Sequence, residues 1–253
     1  PKSQNTALLT VPNIPTLINL LHYLDGSAGG TLSAFEVMWP EFYEHITREG
    51  SNHTPPLPHG SQYYVLVETL GAEADSDGAN FENMLGQAME EELIEDAVLA
   101  KSQSERNAIW EIRDDVLELF NLGPLIPYDI SVTLDRVEAF VDDVRAEMKV
   151  IEEPICVIFG HLGDCNLHVI LGTKKPEAFN PKQQEELLYR IVARYEGSVS
   201  AEHGIGLAKR EHLHCSRNPE ELALMCRIKH MMDPKNILNP NKVLSADFIS
   251  ASI

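Results

Sequence analysis

The order of periodic segments in the second half of the chain limits its fold more than any other feature. Strand-like patterns alternate with two amphipathic helical patterns in the order β-α-β-β-α-β, which is the ferredoxin-like order. The strands fall at 128–133, 155–160, 167–172 and 198–201, and the helices at 137–148 and, after Asn180, 181–195. The first half can be read as an earlier copy of this order. The sequence therefore predicts an α+β fold, a ferredoxin-like antiparallel sheet covered on one face by helices, built from a duplicated pattern.

A further helix and an irregular tail follow this pattern. Asn218 and Pro219 are a cap and first-turn pair, and they open a helix with a predicted inward face of Leu222, Met225, Ile228 and Met232. Residues 233–243 contain too many Pro and Asn residues for an ordinary helix. We therefore expect a ferredoxin-like domain over residues 1–215 and a C-terminal helix and tail over residues 216–253.

Composition and charge restrict the class of protein. The 253 residues include 20 Lys+Arg and 39 Asp+Glu, a net charge of −19, which opposes nonspecific binding to nucleic acid and to anionic membranes. No apolar run approaches the roughly 18 to 20 residues of a membrane helix, and no secretory signal is visible. Four cysteines without a CxxC pair favour a reducing compartment, so we expect bacterial cytoplasm or an organelle matrix. Because the chain begins without Met, we expect it to be a piece of a longer protein.

Two short polar stretches carry the chemistry. GHLGDCNLH (160–168) places His161 and His168 on either side of one turn, and SAEHGIG (200–206) places Glu202 and His203 at the end of the next strand. Two imidazoles and a carboxylate at adjacent strand ends predict a three-ligand metal site with open coordination positions. The alternative is that these histidines only bond loop carbonyls.

Arg113 lies beside the apolar stripe of its predicted helix, not opposite it. Ile109 and Trp110 precede it and Val116 follows it on neighbouring turns. A guanidinium in that position either extends to solvent or meets an anion. Spacing alone leaves both interpretations open.

These motifs together carry a family resemblance. IWEIRD (109–114), GHLGDCNLH, SAEHGIGLAKR (200–210) and DPKNILNPNKVL (233–244), with LSAFEVMW (32–39), resemble the C-terminal half of the FAD-linked 2-hydroxyacid dehydrogenases. That family includes D-lactate dehydrogenase, the glycolate oxidase flavin subunit and D-2-hydroxyglutarate dehydrogenase. The resemblance implies a flavoprotein of the vanillyl-alcohol-oxidase type, in which an N-terminal domain holds FAD and a ferredoxin-like domain caps the flavin. This sequence contains no stretch similar to the Gly-rich loops of the flavin domain.

The resemblance also implies roles for individual residues. A divalent metal, expected to be zinc, would be bound by His161, His168 and Glu202. His203 would be the catalytic base beside the flavin, Arg113 would clamp the substrate carboxylate and Asn166 would line the pocket. Asn239 in the tail would approach the flavin.

The sequence departs from the family at three positions. Cys165 stands where the turn motif usually has glycine. Leu117 and Pro127 align with polar residues that bind a second carboxylate in the 2-hydroxyglutarate enzymes, and neither can make an ionic contact. The resemblance then favours a smaller hydroxyacid such as D-lactate.

The function predicted from these residues is oxidation of a D-2-hydroxyacid to the 2-oxoacid, with hydride transfer to FAD. The expected partners are the small hydroxyacid and an N-terminal flavin domain, and an apolar face left uncovered would favour a homodimer. Two alternatives belong to other classes: a non-catalytic ferredoxin-like metal-binding or regulatory module, and a non-haem iron oxygenase. The first has no need of an arginine at its metal, and the second is expected to bring a β-barrel.

Overall fold

One seven-stranded antiparallel sheet organises the protein. The computed structural model describes residues 1–245, in which the strand order is β4-β1-β3-β2-β6-β7-β5. Every paired neighbour in the sheet is antiparallel. The strands are β1 (Ser3–Val11), β2 (Leu32–Met38), β3 (Tyr63–Gly71), β4 (Asp96–Leu99), β5 (Leu125–Ser131), β6 (Pro154–His161) and β7 (Asn166–Thr173).

Four of the seven helices in residues 1–245 begin at a side chain that accepts a bond from a free backbone N–H group. Asn13, Ser102, Asn180 and Asn218 each accept such a bond at an N-cap. The helices are α1 (Ile14–Ser27), α2 (Pro40–Ile46), α3 (Ala74–Glu90), α4 (Gln103–Asp114), α5 (Val137–Met148), α6 (Pro181–Arg194) and α7 (Pro219–Met232). A 3₁₀ segment, Val116–Leu122, follows α4.

Apolar side chains cover both faces of the sheet, so the prediction of helices on one face is wrong. One core packs α1, α3, α5 and α6 on the sheet through residues such as Leu20, Leu85 and Val144. The other packs α2, α4 and the 3₁₀ segment through residues such as Phe42 and Ile112. Successive side chains of a strand point to opposite faces, and both sets are apolar here. Helices must therefore cover both faces of the sheet to remove these side chains from water.

The two halves of the sheet meet along a short seam. The order within the first half is β4-β1-β3-β2, and the second half continues it as β6-β7-β5. Strands β2 and β6 pair at only three positions, Glu36 with His161, Val37 with Gly160 and Met38 with Phe159. The predicted strand at 198–201 is wrong, because Ser198 makes only an isolated bridge to Ser131.

Two elements of the first half have weak sequence signals. Helix α3 begins at Ala74 within an acidic stretch, and β4 has only four residues. The carboxylate of Asp77 accepts hydrogen bonds from the Ser3 hydroxyl at 2.5 Å and from the Glu73 N–H at 2.9 Å. This link to β1 stabilises a helix start that Gly78 disfavours.

Helix α7 stands apart from the main cores. Its buried residues, Leu222 and Cys226, join Leu213 and Leu244 in a separate small cluster. The predicted inward residues Ile228 and Met232 are exposed, because α7 packs on this cluster and not on the sheet. The tail after α7 is irregular, as predicted. Within residues 1–245, no helix has the length and apolarity to cross a membrane.

Candidate functional site

Cross-strand register brings the polar residues onto one face of the sheet. Asn166 pairs with His161, and His168 lies between Phe159 on β6 and Asp129 on β5. Side chains alternate between the faces of a strand, so His161, His168 and Asp129 all point to the face that carries α4. The two strand ends that carry His161 and His168 therefore lie together, whereas Glu202 reaches them from a loop and not from a strand end.

The three predicted metal ligands lie close together. The ligating atoms of His161, His168 and Glu202 all lie within 4.8 Å of one another. The Nε2 atoms of both histidines are 3.9 Å from Glu202 Oε1. Burial, together with the positive charges near it, lowers the pKa of His168 to about 4, so its ring is neutral at neutral pH and has a lone pair for a cation. This donor set fits a divalent transition metal such as zinc.

A buried carboxylate links His161 to Arg113. Glu36 Oε1 is 2.6 Å from His161 Nδ1, and Glu36 Oε2 accepts a bond of 2.8 Å from Arg113 Nε. Burial alone would raise the pKa of Glu36, but the hydrogen bond from His161 and the charge of Arg113 lower it. The same hydrogen bond raises the pKa of His161. Arg113 therefore meets an anion, which decides between the two interpretations of its position.

Asp129 organises the loop that carries Glu202 and His203. Its carboxylate accepts the backbone N–H groups of Ala201, Glu202 and His203 at 3.0 to 3.3 Å, and Lys209 Nζ lies 3.1 Å from Oδ2. Burial would raise the pKa of Asp129, but these donors lower it to about 2. Asp129, Glu202 and His203 also form a second cluster of ligating atoms. Because Asp129 is already engaged by these donors, the first cluster is the more available of the two for a cation.

His203 lies at the open side of the cluster. Its Nε2 is 3.8 Å from Glu202 Oε1, its Nδ1 is 3.8 Å from Asp129 Oδ2, and its side chain is 64% exposed. A cavity of about 490 Å³ reaches Glu36, His161 and Glu202. A small ligand in contact with the cluster is therefore within reach of this imidazole.

The two predicted asparagines differ in their surroundings. Asn166 is 2% exposed, and neither polar atom of its side chain has a hydrogen-bond partner in the described part of the chain. An unpartnered amide beside His161 is consistent with a ligand-binding role. Asn239 lies in the tail, where its carbonyl accepts from the Lys242 N–H at 3.2 Å. Its approach to a flavin stays a prediction.

The turn between the two histidines has a left-handed residue at its end. Cys165 has φ 63° and ψ 20°, a conformation that glycine adopts without strain. The turn keeps its shape with cysteine at this position, and Asp164 Oδ1 accepts the Asn166 N–H at 3.1 Å.

Sequence reasoning missed Glu36, Asp129 and Lys209. Glu36 stands between Phe35 and Val37, and Asp129 stands in an equally apolar strand. A carboxylate inside an apolar strand needs a partner, and that signal could have identified both residues. Lys209 carries no comparable signal.

Comparison with known proteins identifies the family of the chain. Residues 1–243 match the family described as FAD linked oxidases, C-terminal domain. The chain belongs to this family. The rat mitochondrial D-2-hydroxyglutarate dehydrogenase is 35% identical over 250 residues, which are 97% of this chain and 46% of the rat protein. The D-2-hydroxyglutarate dehydrogenase of Xanthomonas citri pv. viticola is 33% identical over 96% of this chain and 52% of its own length.

Solved structures share the fold. p-Cresol methylhydroxylase with bound substrate has a TM-score of 0.66 at 12% identity and covers 98% of this chain and 54% of its own. The 4-ethylphenol oxidase of Gulosibacter chungangensis has a TM-score of 0.64 at 16% identity, with coverage of 98% and 55%. The chain thus spans about half the length of the proteins that it matches.

Proposed function

We propose that this chain is the substrate- and metal-binding half of a flavin-dependent dehydrogenase that oxidises a D-2-hydroxyacid to the 2-oxoacid. The observation that carries the proposal is the convergence of His161, His168 and Glu202 within 4.8 Å, with His203 beside them. Arg113 Nη2 lies 3.1 Å from His161 Nε2. A purely regulatory metal module has no need of a guanidinium at its ligands, so this contact favours an enzyme that binds a carboxylate.

His161, His168 and Glu202 would hold one divalent ion, which we propose is zinc. When bound, such an ion supplies Lewis acidity that favours loss of a proton from a hydroxyl group. The histidines are on the rigid sheet and Glu202 is on the loop that Asp129 holds, so the ligands are arranged before any ion arrives.

His203 would accept the hydroxyl proton of the substrate at an imidazole nitrogen. Arg113 would orient the substrate by paired N–H bonds to its carboxylate, and Asn166 would complete the polar lining. When bound, FAD supplies the hydride acceptor. The buried position of Arg113 over the ring of Phe159, at 5.3 Å, limits the motion of the guanidinium.

The substrate we propose is a small monocarboxylate such as D-lactate. Leu117 and Pro127 align with residues that would bind a second carboxylate, and neither carries a charge. Lys209 is engaged by Asp129 and Ser200. A distal carboxylate would therefore find poor compensation for the loss of its hydration.

Three structural proposals accompany this function. Residues 1–215 form a duplicated ferredoxin-like unit, which is supported by the strand order β4-β1-β3-β2 followed by β6-β7-β5. The described part of the predicted C-terminal segment, residues 216–245, packs toward an N-terminal flavin domain and brings Asn239 near the flavin, which is supported by the separate cluster that holds α7. Residues 246–253 of that segment lie outside the described residues. The compartment is an organelle matrix or bacterial cytoplasm, since related enzymes are named from rat mitochondria and from Xanthomonas.

Metal analysis tests the first step. Purified chain should carry up to one divalent ion, and His161→Ala or Glu202→Ala should weaken its retention, because a three-ligand site has little redundancy. Stoichiometric metal in a His161→Ala/His168→Ala double variant would contradict the assignment.

Kinetics in the flavoprotein that contains this chain test the second step. Arg113→Lys should lower kcat/KM for D-lactate by about tenfold or more, because an ammonium cannot make the planar two-point contact. Arg106→Lys, two turns earlier on the same helix and bonded to Gln4, is the matched control and should stay within a factor of two. A value for Arg113→Lys equal to that of the control would remove Arg113 from the site.

A further inference from the structure

We propose that Glu36 is a positioning residue that prepares both His161 and Arg113 for their ligands, an inference that rests on the proposed metal and substrate site. Glu36 is 5% exposed and lies within an apolar strand. A carboxylate in such a place destabilises the fold unless it is fully partnered. The register of the seam between the two halves of the sheet places it opposite His161.

The two oxygens of Glu36 are divided between two partners. Oε1 bonds His161 Nδ1 at 2.6 Å and Oε2 bonds Arg113 Nε at 2.8 Å. Its side chain is 7% exposed, and both carboxylate oxygens are already engaged by His161 and Arg113. Glu36 therefore acts through His161 and Arg113 and not by contact with a ligand of its own.

The contact with Arg113 identifies the tautomer of His161. A guanidinium has only N–H donors, so the 3.1 Å contact from Arg113 Nη2 requires a lone pair on His161 Nε2. The ring hydrogen must then be on Nδ1, where Glu36 accepts it. Glu36 thus leaves Nε2 as the ligating atom, on the same side as His168 Nε2 and Glu202 Oε1.

The hydrogen bond from Arg113 Nε to Glu36 Oε2 fixes the guanidinium beside the metal position. With Nε held by Glu36, Nη2 occupies the lone pair that a cation at His161 Nε2 would need. A bound cation would therefore release Nη2 from His161 and make it available to a substrate carboxylate. Arg113 competes with the cation, whereas Glu36 supports it, so the two residues should affect cation affinity in opposite directions.

Zinc titration of the full chain tests this pair. Glu36→Gln should weaken zinc binding by about tenfold or more, which is the usual effect of losing a carboxylate behind a ligating histidine. Arg113→Gln should tighten it. The control is Glu68→Gln, because Glu68 is also 5% exposed, lies on the adjacent strand and accepts bonds from Thr6 and Trp110. It should stay within threefold of the parent.

A structural role for Glu36 would weaken zinc binding in all three variants, and that result would overturn the proposal. So would a Glu36→Gln variant within threefold of the parent. If Glu36→Gln does not fold, ¹⁵N NMR of the histidine rings in the unsubstituted chain decides. A hydrogen on His161 Nδ1, assigned by loss of the signal in His161→Asn, supports the proposal, and a hydrogen on Nε2 overturns it.

An unsubstituted chain that takes up no zinc would instead overturn the proposed metal site. The histidine tautomer would still decide the assignment of Glu36, because it does not depend on a bound ion. The failure of the proposed site and the failure of this inference therefore give different results.

Discussion

At the residue scale, the site depends on charged groups whose partners are all within the sheet and its nearest loop. Asp129 accepts three successive backbone N–H groups, and Glu36 accepts one bond from an imidazole and one from a guanidinium. These bonds compensate for the desolvation of two buried carboxylates. They also hold the loop of Glu202 and His203 against the strands that carry the two histidines.

Asp129 gives a prediction for acid stability. Its pKa of about 2 lies below the ordinary value near 4, so the ionised form contributes stability above pH 4 and loses it as the pH falls toward 2. The shift corresponds to about 2 kcal/mol. In urea unfolding, the difference between parent and Asp129→Asn should be largest at pH 7 and should shrink by about this amount near pH 2. Asp25→Asn, at an exposed position, is the control, and an equal pH trend in both variants would contradict the prediction.

Cys165 gives a prediction for backbone strain. A side chain at φ 63° costs about 1 to 2 kcal/mol, and glycine removes this strain. The net gain is only part of that amount, because glycine loses more conformational entropy on folding. Cys165→Gly should therefore raise the free energy of unfolding by roughly 0.5 to 1 kcal/mol. Gly29→Ala is the reverse control, because Gly29 has φ 59° and a Cβ there would meet nothing within 4 Å. Gly29→Ala should destabilise, and a loss of stability in Cys165→Gly would refute the account.

At the element scale, most helices are stabilised by the two cores, but α7 depends on local bonds. Asn218 and Glu221 form a reciprocal capping box, with bonds of 2.8 and 2.9 Å. Only Leu222 and Cys226 of α7 are buried. The cap therefore contributes a larger share of the stability of α7 than caps do in helices on the sheet.

Removal of the cap should open α7 locally. Asn218→Ala is expected to cost about 1 kcal/mol, which is roughly a fivefold increase in amide hydrogen exchange along α7. Asn180→Ala removes an equivalent cap from α6, whose side chains belong to a main core. That control should not raise local exchange in α6 to the same extent. Equal local effects in α6 and α7 would show that α7 is as firmly packed as the sheet helices.

At the scale of the whole molecule, an apolar surface is concentrated on α7 and the tail. Its exposed members include Ile228, Met231, Met232, Ile237 and Leu238. Large apolar side chains exposed together on one helix and the segment after it are typical of an interaction site. A flavin domain is the partner that the proposed function assigns to it.

Without such a domain, the 253-residue chain should self-associate through this surface. It should also be colourless and inactive, because hydride transfer needs an acceptor held about 3 to 3.5 Å from the reacting carbon. Met231→Ser/Met232→Ser should shift the chain toward monomer in sedimentation velocity, and Val150→Ser, equally exposed but outside the surface, should not. Yellow protein with stoichiometric flavin, or unchanged association in the double variant, would contradict this picture.

The sequence by itself determined the elements whose signals are local. The caps at Asn180 and Asn218, the helix at 137–148 and the turn between His161 and His168 follow from periodicity and from side chains near in sequence. The approach of His161 to His168 was also predictable, because one turn joins them, whereas Glu202 joins them from a loop because the predicted strand at 198–201 does not form. Local patterns describe such contacts well, since their partners are separated by few residues or by one connection.

Only the tertiary structure decided the rest. The pairing of β2 with β6 brings Glu36 to His161, which is 125 residues away in the sequence. The hydrogen bond from the His203 N–H to Asp129 joins residues that are 74 positions apart. The start of α3, the cover on the second face and the exposure of Ile228 depend equally on distant packing. No periodicity records which strands become neighbours, because the free energy that selects them comes from burial and hydrogen bonds summed over the whole sheet.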